Sequence, residues 1–424
     1  GSGSSIQTTL PRSSDFKVYS TIGIGGFSKV ESAKHIKNKM FVALKTTNIT
    51  AALSRSNGYE ILTSEIESLI RLGKHPYIAR LHYAFHDYRE CCMALELYPC
   101  GDLRFQLDVG AVYNETCVSY IMWCMGSALQ YMHSKGTIHR DIKPENIVLS
   151  KDGVPHLTDF GVSYYGGNIQ SEVLVCKSTS GTKPYSSPEF LTRSRRHGTA
   201  ADYWSLGITA FELLTGTRPF SSPPIEYIHY AERIDFYAEY VTAVDLGVTT
   251  LANDNVVVHP ATQIDQSNIV STSQNSNTTT PSQTSNSTEK NLENLDGPVQ
   301  PLIETFLPSS LVFTSHCIDF ITEILDPRIL HRLGGENCRN SLLKHPWVQS
   351  HANIKKSPLK DVLYYVPADG LSDSYLNRRV SNKGSCSQHP LIDVRDSSKY
   401  SEKIEKVLQL YQYSEELEQL NNNS

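Results

Sequence analysis

The stretch HRDIKPEN, residues 139–146, limits what this chain can become more than any other short run in it. It is too polar for a core strand, and Pro144 stops a helix from running through, so it has to be a loop. As a loop it sets out chemical parts: Asp141 as a proton acceptor, Lys143 as a cation for phosphate, Asn146 as an oxygen ligand for a metal. A fold that keeps such a loop must bring a phosphate and a metal to it from elsewhere.

The chain has 424 residues, of which 39% are hydrophobic and 20% charged. At roughly 150 residues per domain this allows two or three domains with a sizeable core. The formal net charge of −5 gives no sign of a nucleic-acid partner. No apolar run approaches the roughly 18–20 residues that cross a bilayer, so no transmembrane segment is expected. Nine scattered cysteines, an odd number with no paired spacing, read as reduced thiols and point to a cytoplasmic protein. The opening GSGSS fits a tag scar. It also fits an N-myristoylation signal, with Gly1 acylated and Ser5 at the required position, which would give peripheral membrane attachment.

Short strands with one interrupting helix are expected over about residues 16–95. MFVALKT alternates as a strand, ILTSEIESLIRL carries helical spacing, and CCMALEL reads as a buried strand. After Gly101 the character turns helical: VSYIMWCMGSALQYMHSKG stops at Gly136, and DYWSLGITAFELLTG is apolar nearly all round, hence a buried helix. Residues 263–288 are almost wholly Ser, Thr, Asn and Gln and cannot offset their ordering entropy. They read as a low-complexity, unstructured insertion spanning about 246–302. The expected organisation is therefore a flexible N-terminus or tag scar at 1–15, a globular unit at 16–348, and a tail at 349–424. The tail ends in an amphipathic helix at about 400–421, whose Ile404, Val407, Leu408 and Tyr411 share one face. Such a stripe more often packs on its own domain than on a partner.

Three further motifs carry chemistry. IGIGGFSKV (22–30) sets Gly23, Gly25 and Gly26 between two strands, where backbone N–H groups can approach phosphates that a side chain would push away. VALK (42–45) puts Lys45 on the next strand, with Glu65 or Glu67 on the following helix as its carboxylate. The two lie about 200° apart round a helix of 3.6 residues per turn. HLTDFGVS (156–163) offers Asp159 before a phenylalanine and a glycine. Asp159 and Asn146 are hard oxygen ligands suited to Mg²⁺ bridging phosphates.

Taken in order, these motifs resemble the eukaryotic protein-kinase family over residues 16–348. The resemblance implies an α+β, bilobal fold. The small lobe (16–97) would be mainly an antiparallel sheet plus one helix, and the large lobe (98–348) mainly helical. It implies ATP with Mg²⁺, or Mn²⁺, as cofactors, and transfer of the γ-phosphate to serine or threonine hydroxyls of protein substrates. Asp141 would be the base, Lys143 would steady the transferred group, and Asn146 and Asp159 would hold the metals. The interval from Glu65 to His75-Pro76 favours Glu65 as the partner that holds Lys45 to the phosphates. Ile22, Gly23, Gly25 and Gly26 would cover the nucleotide, and Val30, Ala43 and Val148 would sandwich adenine. Leu95 would be the gatekeeper, Glu96 and Tyr98 the backbone contacts to adenine, and Asp102 a ribose ligand, with Glu145 completing the nucleotide set. Leu69, Leu81, His139 and Phe160 match an apolar stack joining the lobes. Asp202 matches the residue that bonds the catalytic loop, and Arg332 the partner of Glu189.

HPYIARLHYAFHD, CGDLRFQL, HLTDFGVS and GTKPY together look like the YANK ("yet another novel kinase") subfamily of the AGC group. The F-x-x-F element that closes AGC tails is not visible, which leaves open what completes the small lobe. AGC relatives often prefer basic residues before the acceptor, and Asp102, Glu145 and Glu212 match acidic positions used for that. Arg140 before Asp141 implies control by an upstream kinase or autophosphorylation, at Ser178 or Thr179 in CKSTSGT. Ser28 and Ser187 replace a usual glycine and alanine. A pseudokinase scaffold would be expected to lack one of Lys45, Asp141, Asn146 or Asp159, and all four are present.

Overall fold

The computed structural model describes residues 10–167, 174–177, 180–233, 248–252, 255–260, 308, 311–335, 342–354, 356–363 and 401–414. Phe16–Ile24 (β1), Ser28–His35 (β2) and Phe41–Asn48 (β3) form an antiparallel meander. Two short helices follow, Ile49–Leu53 (α1) and Gly58–Leu72 (α2), and then strands Leu81–His86 (β4) and Glu90–Glu96 (β5). The sheet runs β1-β2-β3-β5-β4. Its register sets Val30 opposite Lys45, and Lys45 opposite Met93, so the lysine stands mid-sheet with a strand on either side.

The small lobe holds one helix more than expected. ITAAL lacks the length for a helical pattern to show in sequence. Asn48 starts it, its side chain accepting from Ala51 N at 2.8 Å. The turn into α2 requires Gly58, because a Cβ there would lie 2.3 Å from the Ala52 carbonyl oxygen. α2 buries Leu62, Ile66 and Leu69 and ends at Gly73, whose φ of 59° with ψ of −138° would strain a residue that carries a side chain.

The tail completes this lobe. Helix Ser401–Leu410 lies on α2 and buries Ile404, Val407 and Leu408, while the buried Tyr411 hydroxyl donates to Leu62 O at 2.9 Å. Tyr413–Ser414 then pairs antiparallel with Ala84 and Tyr83 as a sixth strand beside β4. A helix reaching residue 421 is thus corrected: it stops at Leu410, because backbone pairing to the open edge of β4 overrides the helical pattern beyond it. Residues 415–424 lie outside the described residues.

Leu103–Asp108 (α3) and Glu115–Ser134 (α4) open the large lobe. Thr137–Ile138 (β6), Ile147–Leu149 (β7), Pro155–Leu157 (β8), Tyr164–Tyr165 (β9), Cys176–Lys177 (β10) and Arg196–His197 (β11) make small two-stranded pairs that frame its loops. Ala200–Thr215 (α5) is buried over nearly its whole circumference, as its composition demands. Ile225–Arg233 (α6) and Ser315–Ile324 (α7) follow. Strands Val248–Ala252 and Asn255–Pro260 pair inside the range expected to be unstructured. Residues 263–288 are outside the described residues. All seven cysteines among those described are free and buried. No helix among the described residues is long and apolar enough to cross a membrane.

Candidate active site

The polar loop 139–146 is held from behind before it can act in front. The Asp202 carboxylate, fully buried in α5, accepts from His139 N at 2.9 Å and Arg140 N at 2.8 Å, and bonds His133 Nε2 at 2.8 Å. Burial disfavours its charge, but these bonds and the neighbouring histidines outweigh it and keep its pKa below the ordinary carboxylate range. Arg140 is thereby fixed at φ 69°, a left-handed conformation that costs a non-glycine residue about 1–3 kcal/mol and persists only where the surroundings impose it. His139 and Phe160 meet edge to face, with ring centroids 5.0 Å apart, and both are completely buried.

In front, Asp141 collects three donors. Lys143 Nζ reaches Asp141 Oδ2 at 2.6 Å, and Thr182 Oγ1 donates to Oδ1 at 2.6 Å. Lys143 Nζ also donates to Thr182 Oγ1 at 2.7 Å, which closes a triangle. Asn146 Nδ2 donates to Asp141 O at 2.7 Å and to Oδ2 at 3.1 Å, which leaves the Asn146 amide oxygen for another partner. Pro144 does end helical continuity, but it also starts a single 3-10 turn, Pro144–Asn146, that sets this amide.

On the small-lobe side, Lys45 Nζ pairs with Glu65 Oε2 and lies 3.9 Å from Asp159 Oδ1. Burial works against the lysine's charge, yet Glu65 and then Asp159 raise its pKa, so it is a cation throughout the neutral range. Glu67 is half-buried on another face of the helix. Desolvation by the surrounding cleft opposes ionisation of Asp159, although half of its side chain is exposed, and the Lys45 ammonium, with His139 and Lys143, outweighs it and lowers its pKa. Asp159 sits at φ 63° with a side chain 52% exposed, so a left-handed backbone turns a carboxylate outward. Ser68 on α2 and Ser163 share a 2.6 Å hydrogen bond, and the Arg71 guanidinium lies 3.5 Å from the Tyr165 ring centroid. Both contacts tie α2 to the segment after Asp159.

These residues form two facing sets of charge, a cation held on a strand and a carboxylate–amide–lysine group held on a loop. Residues 16–348 match the family model described as protein kinase domain. This chain belongs to the protein kinase family. It is similar to human serine/threonine-protein kinase 32B, 34% identical over 220 residues that make up 50% of this chain and 52% of that protein. The human cAMP-dependent protein kinase catalytic subunit PRKX is 34% identical over 214 residues, 49% of this chain and 55% of the relative. An Aurora kinase of Eremothecium gossypii is 33% identical over 233 residues, 54% and 60% of the two chains. The chain spans about half the length of the curated relatives it matches.

The fold is the bilobal kinase fold, and its cleft fits the nucleotide and metal that the family uses. A Cβ at Gly26 would meet no atom within 4 Å, so open space lies over the glycine turn. Val30, Ala43 and Val148 are half-buried, as walls of a cleft should be, and Leu95 is buried behind them. Among the described residues no group of three or more His, Cys, Asp or Glu could hold a metal by itself. A divalent ion here would therefore need phosphate oxygens alongside Asn146 and Asp159, which is how Mg²⁺ is commonly bound.

Asp102 and Glu145 have side-chain partners inside the chain, whereas Tyr98 is expected to serve through its backbone alone. The Asp102 carboxylate is buried and caps α3 by accepting from Phe105 N at 2.7 Å. Tyr98 turns its ring onto His156, centroids 4.5 Å apart, in a small cavity behind the linker, so only its backbone is available to a nucleotide. Glu145 pairs with Arg104 at 3.1 Å. The sequence assigned nothing to Thr182 or Arg104, although both lie inside quoted motifs. A threonine in a loop and an arginine near a helix start carry no periodic signal. Ser178 and Thr179 lie outside the described residues, and the Arg140 guanidinium donates to Val162 O at 2.6 Å and Ser163 O at 3.4 Å.

Proposed function

We propose that this chain is an active protein serine/threonine kinase that transfers the γ-phosphate of Mg–ATP to hydroxyls of protein substrates, most like the YANK subfamily of the AGC group. The observation that carries this reading is the closed triangle of Asp141, Lys143 and Thr182 facing the Lys45–Glu65 pair, with Asp159 between them. Asp141 accepts the proton of the acceptor hydroxyl. Its carboxylate is aimed by Asn146 and Thr182, so the substrate meets a pre-set base. Lys143 supplies positive charge where the transferred group passes, and Lys45, held by Glu65, does so at the other phosphates. Asn146 and Asp159 would hold Mg²⁺, which when bound neutralises phosphate charge. Lys143 beside the base, and the serine/threonine kinases among its relatives, support hydroxyls of serine and threonine as acceptors.

The test is transfer of labelled γ-phosphate from ATP with Mg²⁺ to a mixed serine/threonine peptide library, wild type against Asp141→Asn. Incorporation by the wild type alone is the expected result. Equal signals from both proteins would mean a contaminating activity and would restore the pseudokinase reading.

A further inference from the structure

Three charged side chains in and beside the catalytic loop form a cluster that makes no direct contact with Asp141, Lys143 or Lys45 among the hydrogen bonds and ion pairs of the described residues. Glu145 stands four residues after Asp141, Glu212 comes from α5, and Arg104 from the first turn of α3. Arg104 Nε donates to Glu145 Oε1 at 3.1 Å. Its Nη2 donates to Glu212 Oε1 at 2.8 Å and to the Tyr185 hydroxyl at 3.0 Å. The Tyr185 hydroxyl in turn donates to Glu212 Oε2 at 2.6 Å. The cluster is closed at Glu212, 6% exposed, and open at Glu145, 40% exposed.

It is tied to the base from two sides. Glu145 adjoins Asn146, which bonds Asp141, and Tyr185 lies three residues beyond Thr182, which also bonds Asp141. An extended substrate advances about 3.3 Å per residue, so one with its hydroxyl at Asp141 passes this cluster within a few residues. Two free carboxylates there would draw a substrate arginine, whose planar fork suits paired carboxylate oxygens. The fork is already filled from inside the chain.

We infer that Arg104 occupies the place a substrate arginine would take between Glu145 and Glu212, and so sets the kinase to acceptor sites without arginine nearby. This rests on the catalytic reading above. It replaces the basic preference that the acidic positions alone would imply: Glu145 and Glu212 are present, but Arg104 already engages an oxygen of each and offsets one of their two charges. An incoming arginine would have to break three hydrogen bonds to gain the same partners.

The experiment compares kcat/KM for serine peptides carrying arginine or glutamine at each of the three positions on either side of the acceptor. Wild type and Arg104→Met are measured in parallel. The arginine-to-glutamine ratio is taken within each protein, so a change in folded fraction cancels. The wild-type ratio is expected near or below one at every position. Arg104→Met should raise it tenfold or more at one position, and adding Glu145→Gln should bring it down again. A wild type preferring arginine tenfold, or an Arg104→Met profile identical to the wild type's, would overturn the inference. Should Arg104→Met not fold, Arg104→Gln gives the same comparison, and the wild-type profile alone still decides for or against. Failure of the catalytic reading looks different: no peptide is then phosphorylated faster by wild type than by Asp141→Asn.

Discussion

Two groups of charges in this kinase are held in opposite ways. Around Asp141 the carboxylates and lysines are partly open, and Asp159 is half exposed. Further along the chain, Glu189 and Asp202 are buried. Glu189 is gripped by both Arg332 Nη1 at 2.7 Å and Nη2 at 3.0 Å, and that guanidinium is itself 0% exposed and lies 5.1 Å from the Trp204 ring centroid. Burial resists the charge of Glu189, and Arg332 overcomes it and keeps its pKa below the usual range. The first group keeps room for a substrate, whereas the second spends all its hydrogen bonds inside the protein. Charge alone therefore does not mark a catalytic residue; charge with an unfilled side does.

Substitutions in the two groups should have opposite outcomes. Asp141→Asn should reduce transfer by about 10²–10⁴, the usual contribution of a positioned base, without lowering the denaturation midpoint. A variant that unfolded instead would place Asp141 with the structural group. Arg332→Met should behave the other way. It leaves Glu189 buried without its partner and should cost about 3–5 kcal/mol in urea titration, while the folded fraction keeps its specific activity.

Tyr411→Ala sharpens the boundary between the groups, since Tyr411 is a core residue packed on the helix that carries Glu65. It should cost about 3 kcal/mol, as for other buried aromatic truncations, and lower transfer as well, because the Lys45–Glu65 pair depends on where α2 sits. Unchanged activity per folded molecule would show that the tail supports the lobe without positioning the pair.

The smallest expected effect is one of pH. Burial depresses the pKa of both His139 and His197 in the folded state. The unfolded chain then takes up their protons first, so stability present above about pH 6.5 should be lost as pH falls through the folded values. Glu189 and Asp202, also depressed, hold their contribution down to the ordinary carboxylate range and lose it only below that. Midpoints measured at pH 7.5, 6.5 and 5.5 should fall across the last interval, and His197→Gln should fall less.

The residues proposed to meet substrate and nucleotide were legible because chemistry fixes their types and the chain fixes their order. Lys45, Glu65, Asp141, Lys143, Asn146 and Asp159 come together as their motifs imply. Less legible were features decided by contacts distant in sequence. Tyr411 finds Leu62 across most of the chain, and Tyr413–Ser414 becomes a strand only because β4 offers an unpaired edge. Asp102 and Glu145 show the same limit at the site itself. Each has a motif-derived part as a carboxylate, yet a helix N-terminus and an arginine had first claim on their oxygens.

Calorimetric titration of ATP, with and without Mg²⁺, into wild type and Asp159→Asn tests most directly whether the two lobes share one nucleotide–metal site. Wild type should bind ATP at least tenfold more tightly with the ion than without, and Asp159→Asn should lose most of that difference. Metal-indifferent binding by the wild type, or an unchanged metal dependence in the variant, would contradict the shared site.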